Sequence, residues 1–393
     1  MPHYRRSGDI PRKRHVRHPL EHAGRSERGQ IAFEELMGSA GFSGASSLLY
    51  HQNSPSAVAR IDAVNEPAIA WRANHPLRPH HLRTSQLPVS AADLDAVQGR
   101  CPLLGNDQVE IAWVVAEAPS PLYRDAMGDE LIYVHSGSPT LESVFGRMVL
   151  RPGDYVVIPT ATTHRWVPSG RTELYVVAAN GHIDIPARYL SAQGQLLEGA
   201  PFSERDQRGP DPAPLLVDGA DVPVLVRTRA GITVHVHARH PFDVVGWDGC
   251  LYPWALSIHD FEPIVGRIHQ PPPVHQTFAG QGFVVCSFVP RPYDFDPDAV
   301  KVPYHHANVD TDEVLFYGGG DFMSRAGSGV GVGSISLHPA GFVHGPQPGS
   351  VERSAGADRT MELAVMLDAF RPLALTDAAL GVSDPSYPST WSS

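Results

Sequence analysis

Cysteines, long apolar runs and helical periodicity are all scarce in this sequence of 393 residues. The three cysteines, Cys101, Cys250 and Cys286, are far apart and form no Cys-x-x-Cys pair, which argues against a disulfide framework and a zinc ribbon. A reducing cytoplasm is therefore the expected location. No apolar run approaches the roughly 20 residues that a membrane-spanning helix requires, so we expect a soluble protein without a membrane partner.

Basic charge is also in the minority. Lys and Arg number 31 against 42 Asp and Glu, and the formal net charge of −11 argues against a nucleic-acid or anionic-membrane partner for the surface as a whole. One basic stretch lies within the first 30 residues, and no apolar core follows it as in a signal peptide. Its interleaved prolines and histidines favour an extended segment lying on the fold or a neighbouring subunit over a nucleic-acid-binding arm. Its basic residues are Arg5, Arg6, Arg12, Lys13, Arg14 and Arg17.

Proline and glycine, in contrast, are plentiful, with 37 and 36 residues, and they favour many short strands joined by turns. Hydrophobic residues make up 42% of the chain and charged residues 19%, a composition typical of globular proteins. The length is sufficient for two domains or one large two-lobed β protein. We therefore predict an all-β dominated fold.

Candidate metal ligands concentrate between residues 302 and 348. Glu313 follows His306 by seven residues, and the intervening Asp310-Thr311-Asp312 is turn chemistry that can bring the carboxylate round to the histidine. A second block begins at Gly333, bends at Pro339 and Gly341, and then presents His344. Two histidines and one carboxylate are the ligand set of a mononuclear non-haem iron site. We predict His306, Glu313 and His344 as ligands of Fe(2+).

Two neighbours of these ligands have other interpretations. Asp312 is an alternative carboxylate ligand if the turn closes one residue earlier. His305 has no partner at a suitable spacing, and it is better explained as a hydrogen-bonded polar side chain than as a ligand.

The two blocks resemble the two motifs of the cupin family. The first motif normally reads His-x-His, whereas here Asn308 stands in the second histidine position and removes a fourth protein ligand. Three ligands leave open positions for a substrate and O2. A weaker copy of the motif pair occurs in the first half, without the upstream histidines; it consists of Glu130, Gly137, Gly153, Pro159, Ala161 and His164. The repeat implies a bicupin with two β-barrel or jelly-roll lobes.

The predicted organisation follows from this repeat and from the turn-rich segment after Asp206. It comprises an N-terminal extended or β segment that packs on the lobes (1–104), a degenerate cupin lobe without metal (105–204), a linker (205–228), an iron-binding cupin lobe (229–370) and a C-terminal tail (371–393).

Long stretches also resemble homogentisate 1,2-dioxygenases of bacteria, among them HQPPPVHQTF, GFVVCSFVPRP, NVDTDEV and GSISLHPAGFVHGPQPG. The resemblance implies an iron(II)-dependent, extradiol-type dioxygenase that cleaves homogentisate with O2 to maleylacetoacetate in tyrosine and phenylalanine catabolism, and trimer-based homo-oligomers. It also implies an acid/base role for His269 and substrate contacts for His338 and Tyr304. His275 is a second candidate for the base and a further substrate-binding candidate.

Other functions remain open from the sequence. Phe322 stands where some relatives of that family have a tyrosine beside the substrate, so a related hydroquinone such as gentisate is an alternative. A cupin that only binds a small ligand, or a metal-dependent isomerase, would consume no O2.

Overall fold

Strands account for nearly all the regular structure of the chain. The structure, a computed structural model, describes residues 3–20, 30–64, 68–89 and 94–392. These ranges contain 27 strands and only two α-helices, each of five residues: α1, Ser350–Ser354, and α2, Asp377–Gly381. The predicted all-β dominated fold is confirmed. None of the helices in these ranges is long and apolar enough to cross a membrane.

The strands alternate with short turns and loops. The first six are β1 (Arg5–Gly8), β2 (Phe33–Gly38), β3 (Ser46–His51), β4 (Val58–Ala63), β5 (His80–Arg83) and β6 (Cys101–Gly105). The next nine are β7 (Val109–Ala116), β8 (Leu122–Asp125), β9 (Glu130–Ser136), β10 (Thr140–Ser143), β11 (Gly146–Val149), β12 (Asp154–Ile158), β13 (His164–Val167), β14 (Thr172–Ala179) and β15 (Ile183–Asp184).

The second half of the chain continues in the same manner. Its first strands are β16 (Val222–Thr228), β17 (Gly231–His237), β18 (Val244–Gly249) and β19 (Trp254–Ser257). The last eight are β20 (Gln276–Gly280), β21 (Phe283–Phe288), β22 (Arg291–Pro292), β23 (Asp312–Gly319), β24 (Ser334–His338), β25 (Arg359–Thr360), β26 (Leu363–Ala369) and β27 (Ala374–Leu375). Single 3₁₀ turns lie at Ala40–Phe42, Thr84–Gln86, Ala187–Tyr189, Glu204–Asp206, Ile258–Asp260, Pro272–His275, Met323–Arg325 and Tyr387–Ser389.

Two seven-stranded sheets repeat one strand order. The first runs β19-β12-β9-β14-β7-β6-β27, and the second runs β15-β20-β21-β26-β23-β24-β5. Five strands of the first sheet, β12-β9-β14-β7-β6, therefore correspond to β24-β23-β26-β21-β20 in the second. The predicted bicupin is confirmed by this duplication. The first lobe is built around β6 to β14 and the second around β20 to β26.

The duplication extends to single residues at the start of β9 and β23. In the first lobe, Asp129 accepts hydrogen bonds from the backbone N–H groups of Thr160 and Ile183, at 2.8 and 2.9 Å. In the second lobe, Asp312 accepts the equivalent bonds from Ala340 and Leu373, both at 2.8 Å. Each carboxylate thus ties one strand to two loops at the end of its lobe.

Strands from outside each lobe complete the sheets. β5, from the N-terminal segment, pairs antiparallel with β24, and the C-terminal β27 pairs with β6 of the first lobe. The segment predicted as a linker ends in β16, which pairs in parallel with β8 and antiparallel with β17. Long-range pairing therefore ties the two ends of the chain to both lobes.

The main hydrophobic core lies between the lobes. Phe316 in β23 sits at its centre, and its ring stacks on Tyr175 at 5.0 Å. Because side chains alternate along a strand, Leu315 and Tyr317 face into the second lobe instead. The inside of the first lobe is filled by a separate apolar cluster that includes Ile132 and Trp166. The second lobe keeps space for a cavity.

Candidate metal centre

The three predicted ligands come together inside the second lobe. Nitrogen atoms of His306 and His344 and a carboxylate oxygen of Glu313 all lie within 4.8 Å of one another. Glu313 Oε2 is 3.6 Å from His306 Nε2, and Glu313 Oε1 is 3.1 Å from His344 Nε2. Glu313 and His344 are buried, whereas His306 is half-buried and faces the cavity. Within the described residues this is the one such group of three potential ligands.

Local backbone pairing explains how these side chains meet. His306 and His344 form an isolated antiparallel bridge, with reciprocal N–H to carbonyl bonds of 2.8 and 2.9 Å. Residue 313 is the second of β23 and lies opposite His338 of β24. The neighbouring Asp312 points the other way, toward the backbone of Ala340 and Leu373. The geometry therefore favours Glu313 over Asp312 as the candidate ligand.

Both histidines are oriented for binding through Nε2. The Nδ1 atom of His306 donates to the carbonyl of Tyr304 at 3.2 Å, and Nδ1 of His344 donates to the carbonyl of Phe342 at 3.1 Å. A neutral ring that donates from Nδ1 has its lone pair on Nε2. In each case Nε2 faces the carboxylate of Glu313, which it can meet through a hydrogen bond or through a shared metal ion.

The donor set fits a metal cation. Burial alone would raise the pKa of Glu313, but hydrogen bonds from His306, His338 and His344 outweigh burial and hold the pKa well below its usual range. The carboxylate is therefore ionised. The Nε2 atoms of His306 and His344 converge on this one carboxylate, at 3.6 and 3.1 Å, so a divalent cation could bind all three groups together. Two imidazoles and one carboxylate, with a cavity on the remaining side, suit iron(II).

His338 lies behind this set of ligands. Its side chain has no exposed surface, its Nδ1 donates to Glu313 Oε1 at 2.9 Å, and its Nε2 is 3.0 Å from the hydroxyl of Tyr387. Burial lowers the pKa of His338 to about 3, so the ring is neutral. His338 was predicted to contact the substrate, but the structure places it outside the lining of the cavity.

A cavity of about 340 Å³ opens on the exposed side of the three ligands. This volume suits a small aromatic molecule. Three residues predicted to act on the substrate, His269, His275 and Tyr304, line it together with His306 and Glu313. Its other walls combine apolar and charged side chains, among them Ile264, Pro272, Phe288, Arg291, Asp294, Lys301, Leu315, Arg325, Glu362 and Met366.

The two candidate bases differ in their surroundings. Burial lowers the pKa of His269, whose ring packs edge-on against Tyr304 with centroids 5.1 Å apart. Its Nδ1 lies 4.0 Å from Asp294 Oδ2, and a third of its side chain is exposed. His275 is far more buried; burial lowers its pKa to about 3, and its Nδ1 has no hydrogen-bond partner. His269 is therefore the better placed of the two to accept a proton.

Three residues near the centre were not predicted from the sequence. Burial, followed by the charge of Glu313, raises the pKa of Asp368 to about 7, and Asn308 Nδ2 donates to its Oδ1 at 3.4 Å. A carboxylate within the apolar run LAVMLDA was the available signal for Asp368. Arg325, which is buried beside the centre, and Tyr387 carried no such signal, because both lie in turn-rich segments.

The first lobe places different chemistry at the equivalent position. Its bridge pairs Tyr123 with His164, where the second lobe pairs His306 with His344. Glu130 corresponds to Glu313, and it forms a salt bridge with the guanidinium of Arg100. His164 Nε2 lies 3.8 Å from the other carboxylate oxygen of Glu130. A fixed side-chain cation thus balances the carboxylate in this lobe.

Known proteins resemble the chain to different degrees. No protein-family model matches it. A protein of Saccharolobus solfataricus named "putative dioxygenase" is 38% identical over 395 residues, which cover 100% of this chain and 99% of that protein. Homogentisate 1,2-dioxygenase of Emericella nidulans is 25% identical over 60% of this chain and 54% of that enzyme. The Bradyrhizobium diazoefficiens enzyme of the same name is 23% identical over 68% of this chain and 57% of its own length.

A cupin 2 conserved barrel domain protein from Leptotrichia buccalis is 10% identical, with a TM-score of 0.35 over 79% of this chain and 100% of that chain.

Proposed function

The chain belongs to the family of the Saccharolobus solfataricus "putative dioxygenase", and from that membership we propose that it is an iron(II)-dependent dioxygenase that cleaves an aromatic ring. The observation that carries this proposal is the convergence of His306, Glu313 and His344 at the floor of a cavity. The proposed substrate is homogentisate, with maleylacetoacetate as product. This choice is supported by the homogentisate 1,2-dioxygenases among the more distant relatives.

The residues that line the cavity indicate which roles the metal ion and the protein side chains would each have. Iron(II) held by the three ligands would supply open coordination positions for the substrate and O2 and would lower the pKa of a ring hydroxyl. The apolar walls, which include Phe288, Leu315 and Met366, hold the ring and limit access of water.

His269 acts as the general base in this proposal. Its lowered pKa keeps the imidazole neutral near pH 7, so that it accepts the proton that a ring hydroxyl loses on binding. Tyr304 is largely exposed at the rim of the cavity, where its ring packs against His269 and limits how that ring turns. His275 lines the buried end of the cavity beside Phe288, with centroids 4.8 Å apart.

Two cations in the cavity wall offer partners for a substrate that carries a carboxylate. Arg291 and Lys301 both line it, and each is held in place: Arg291 Nη2 is 3.6 Å from Glu362 Oε2, and Lys301 Nζ donates to the carbonyl of Asp294 at 2.7 Å. A ring with an acidic side chain can bind its hydroxyl next to Glu313 while the carboxylate lies nearer these cations. Homogentisate has this arrangement of groups.

The test is to load the protein with iron under anaerobic conditions, add homogentisate and O2, and identify the product. We expect O2 uptake with homogentisate and release of a ring-opened acid, and a parallel assay with gentisate separates the two hydroquinones. Glu313→Ala should lose both bound iron and turnover. Full iron content and turnover in that variant would show the ligand assignment to be wrong.

A further inference from the structure

Glu313 has a partner that is neither a ligand nor part of the cavity. We propose that His338, held by Tyr387, is the positioning residue for the carboxylate ligand, and that the C-terminal segment carrying Tyr387 is therefore part of the metal centre. The inference rests on the proposed function, because it assigns the role of two residues toward the metal ion that Glu313 would bind.

Hydrogen bonds on both sides of the ring hold His338 in place. A carboxylate can only accept, so His338 must donate from Nδ1 to Glu313 Oε1, at 2.9 Å. On the other side of the ring, Nε2 is hydrogen-bonded to the hydroxyl of Tyr387 at 3.0 Å. A hydrogen-bonded chain thus runs from Tyr387 through His338 to Glu313. A carboxylate held in this way keeps one orientation and its negative charge.

His338 also determines where a second ligand lies. Its ring stacks on that of His344 with centroids 4.1 Å apart and an interplanar angle of 17°. The same side chain thus contacts two of the three ligands. It has no exposed surface and does not line the cavity, so direct contact with a bound substrate would require the centre to rearrange.

Tyr387 is held by the segment between Asp384 and Ser392. The backbone N–H of Asp384 donates to the carbonyl of His81 in β5, at 2.8 Å. Farther along, Trp391 Nε1 donates to the carbonyl of Gly345 at 2.9 Å, next to the ligand His344. Gln347 Nε2 donates to Thr390 Oγ1 at 3.0 Å. These bonds hold the segment on both sides of Tyr387, against the residues that carry the ligands.

The experiment measures metal binding without turnover. Wild type, Tyr387→Phe, His338→Leu and His338→Asn are titrated anaerobically with Fe(II) against a competing chelator, and their Co(II) forms are compared by visible absorption. His338→Asn keeps an N–H donor near the position of Nδ1, whereas His338→Leu removes it. The matched control is Tyr155→Phe, because Tyr155 is equally buried and its hydroxyl bonds Ser287 Oγ at 2.9 Å in the core between the lobes.

We expect metal affinity to fall about 10- to 100-fold in His338→Leu, by less in Tyr387→Phe, and to recover largely in His338→Asn. The Co(II) spectrum should change in Tyr387→Phe and stay as in wild type in Tyr155→Phe. If His338→Leu does not fold, Tyr387→Phe, which loses a single hydroxyl, carries the test.

Two failures are distinguishable. If wild type binds no more metal than Glu313→Ala, the proposed function fails. If wild type binds metal but Tyr387→Phe and the folded His338 variants match it in affinity and Co(II) spectrum, the positioning role is overturned and the proposed function stands.

Discussion

Glu313 illustrates how much one residue depends on its neighbours. Its carboxylate is buried, yet three imidazoles surround it and keep its pKa low. The short spacing from His306 and the Pro-x-Gly bend before His344 made the ligand set predictable, because these features lie within 40 residues. The partner Tyr387 was not predictable, since it lies 49 residues beyond His338 in a tail without regular periodicity.

His269→Gln should lower kcat by about 10²- to 10⁴-fold while iron content stays unchanged, because the variant loses the proposed base but no ligand. Burial lowers the pKa of His269 below its usual 6.5, so kcat/KM of wild type should hold at pH 6.5 and fall only at lower pH as the ring is protonated. In the same pH series, kcat/KM of His275→Gln should show the same fall at low pH as wild type. An unchanged kcat in His269→Gln would contradict the assignment.

A second histidine, far from the metal centre, should make stability depend on pH. His51 is buried between Asp243 and Glu35, at 2.7 and 2.9 Å, and these carboxylates outweigh burial and raise its pKa to about 9. The charged His51 and its two carboxylate partners therefore stabilise the fold fully below pH 6.5, and this contribution is lost as the pH rises through 9.

We expect His51→Gln to be less stable than wild type at pH 6, by on the order of 3 kcal/mol, and the difference to close by pH 10. Urea denaturation at pH 6, 8 and 10 measures it. His15→Gln is the control, because the side chain of His15 is 95% exposed although it contacts Glu34. A difference that does not vary with pH would contradict the assigned charge on His51.

Successive side chains of strand β23 point in different directions and therefore have different roles. Asp312 faces the loops, Glu313 faces the candidate metal centre, and Phe316 faces the core between the lobes. The sequence predicted this strand well, because its apolar run and its glycines are local signals. It did not predict that β5 would pair with β24, since more than 240 residues separate these strands and no local pattern specifies the partner.

The duplicated carboxylates at the starts of β9 and β23 should have matching effects on stability. Asp129→Asn and Asp312→Asn each leave one of two backbone N–H groups without its carboxylate acceptor, which costs about 1–3 kcal/mol. Chemical denaturation compares both with Asp62→Asn, whose exposed partner is Arg60 and whose effect should be within about 1 kcal/mol. A cost in one lobe without a cost in the other would show that the two bonds are not equivalent.

At the scale of the whole molecule, the lobes share one core. The ring of Phe316 contacts four rings of the first lobe, with centroids 5.0–5.8 Å away: Trp113, Tyr133, His135 and Tyr175. The two-lobed plan could be predicted from the repeated motif, but this packing could not, because it depends on how the two sheets face each other.

Phe316→Ala should destabilise the protein by about 3–5 kcal/mol, because it removes a fully buried ring from the centre of this core. Unfolding of wild type should remain a single transition by fluorescence and circular dichroism, since the main hydrophobic core contains residues of both lobes. Phe295→Ala serves as the control, because Phe295 is 69% exposed and its loss should change stability by less than about 0.5 kcal/mol. Two separate transitions in wild type would contradict a shared core.

The guanidinium of Arg100 has a consequence for how the protein matures. One half of the duplicated plan carries its counter-charge in the polypeptide itself, and that half is complete when synthesis ends. Under the proposed function, only the other half would have to acquire an ion from the surroundings. If the proposed function holds, a cell short of iron would accumulate folded, inactive chains that become competent when the supply returns.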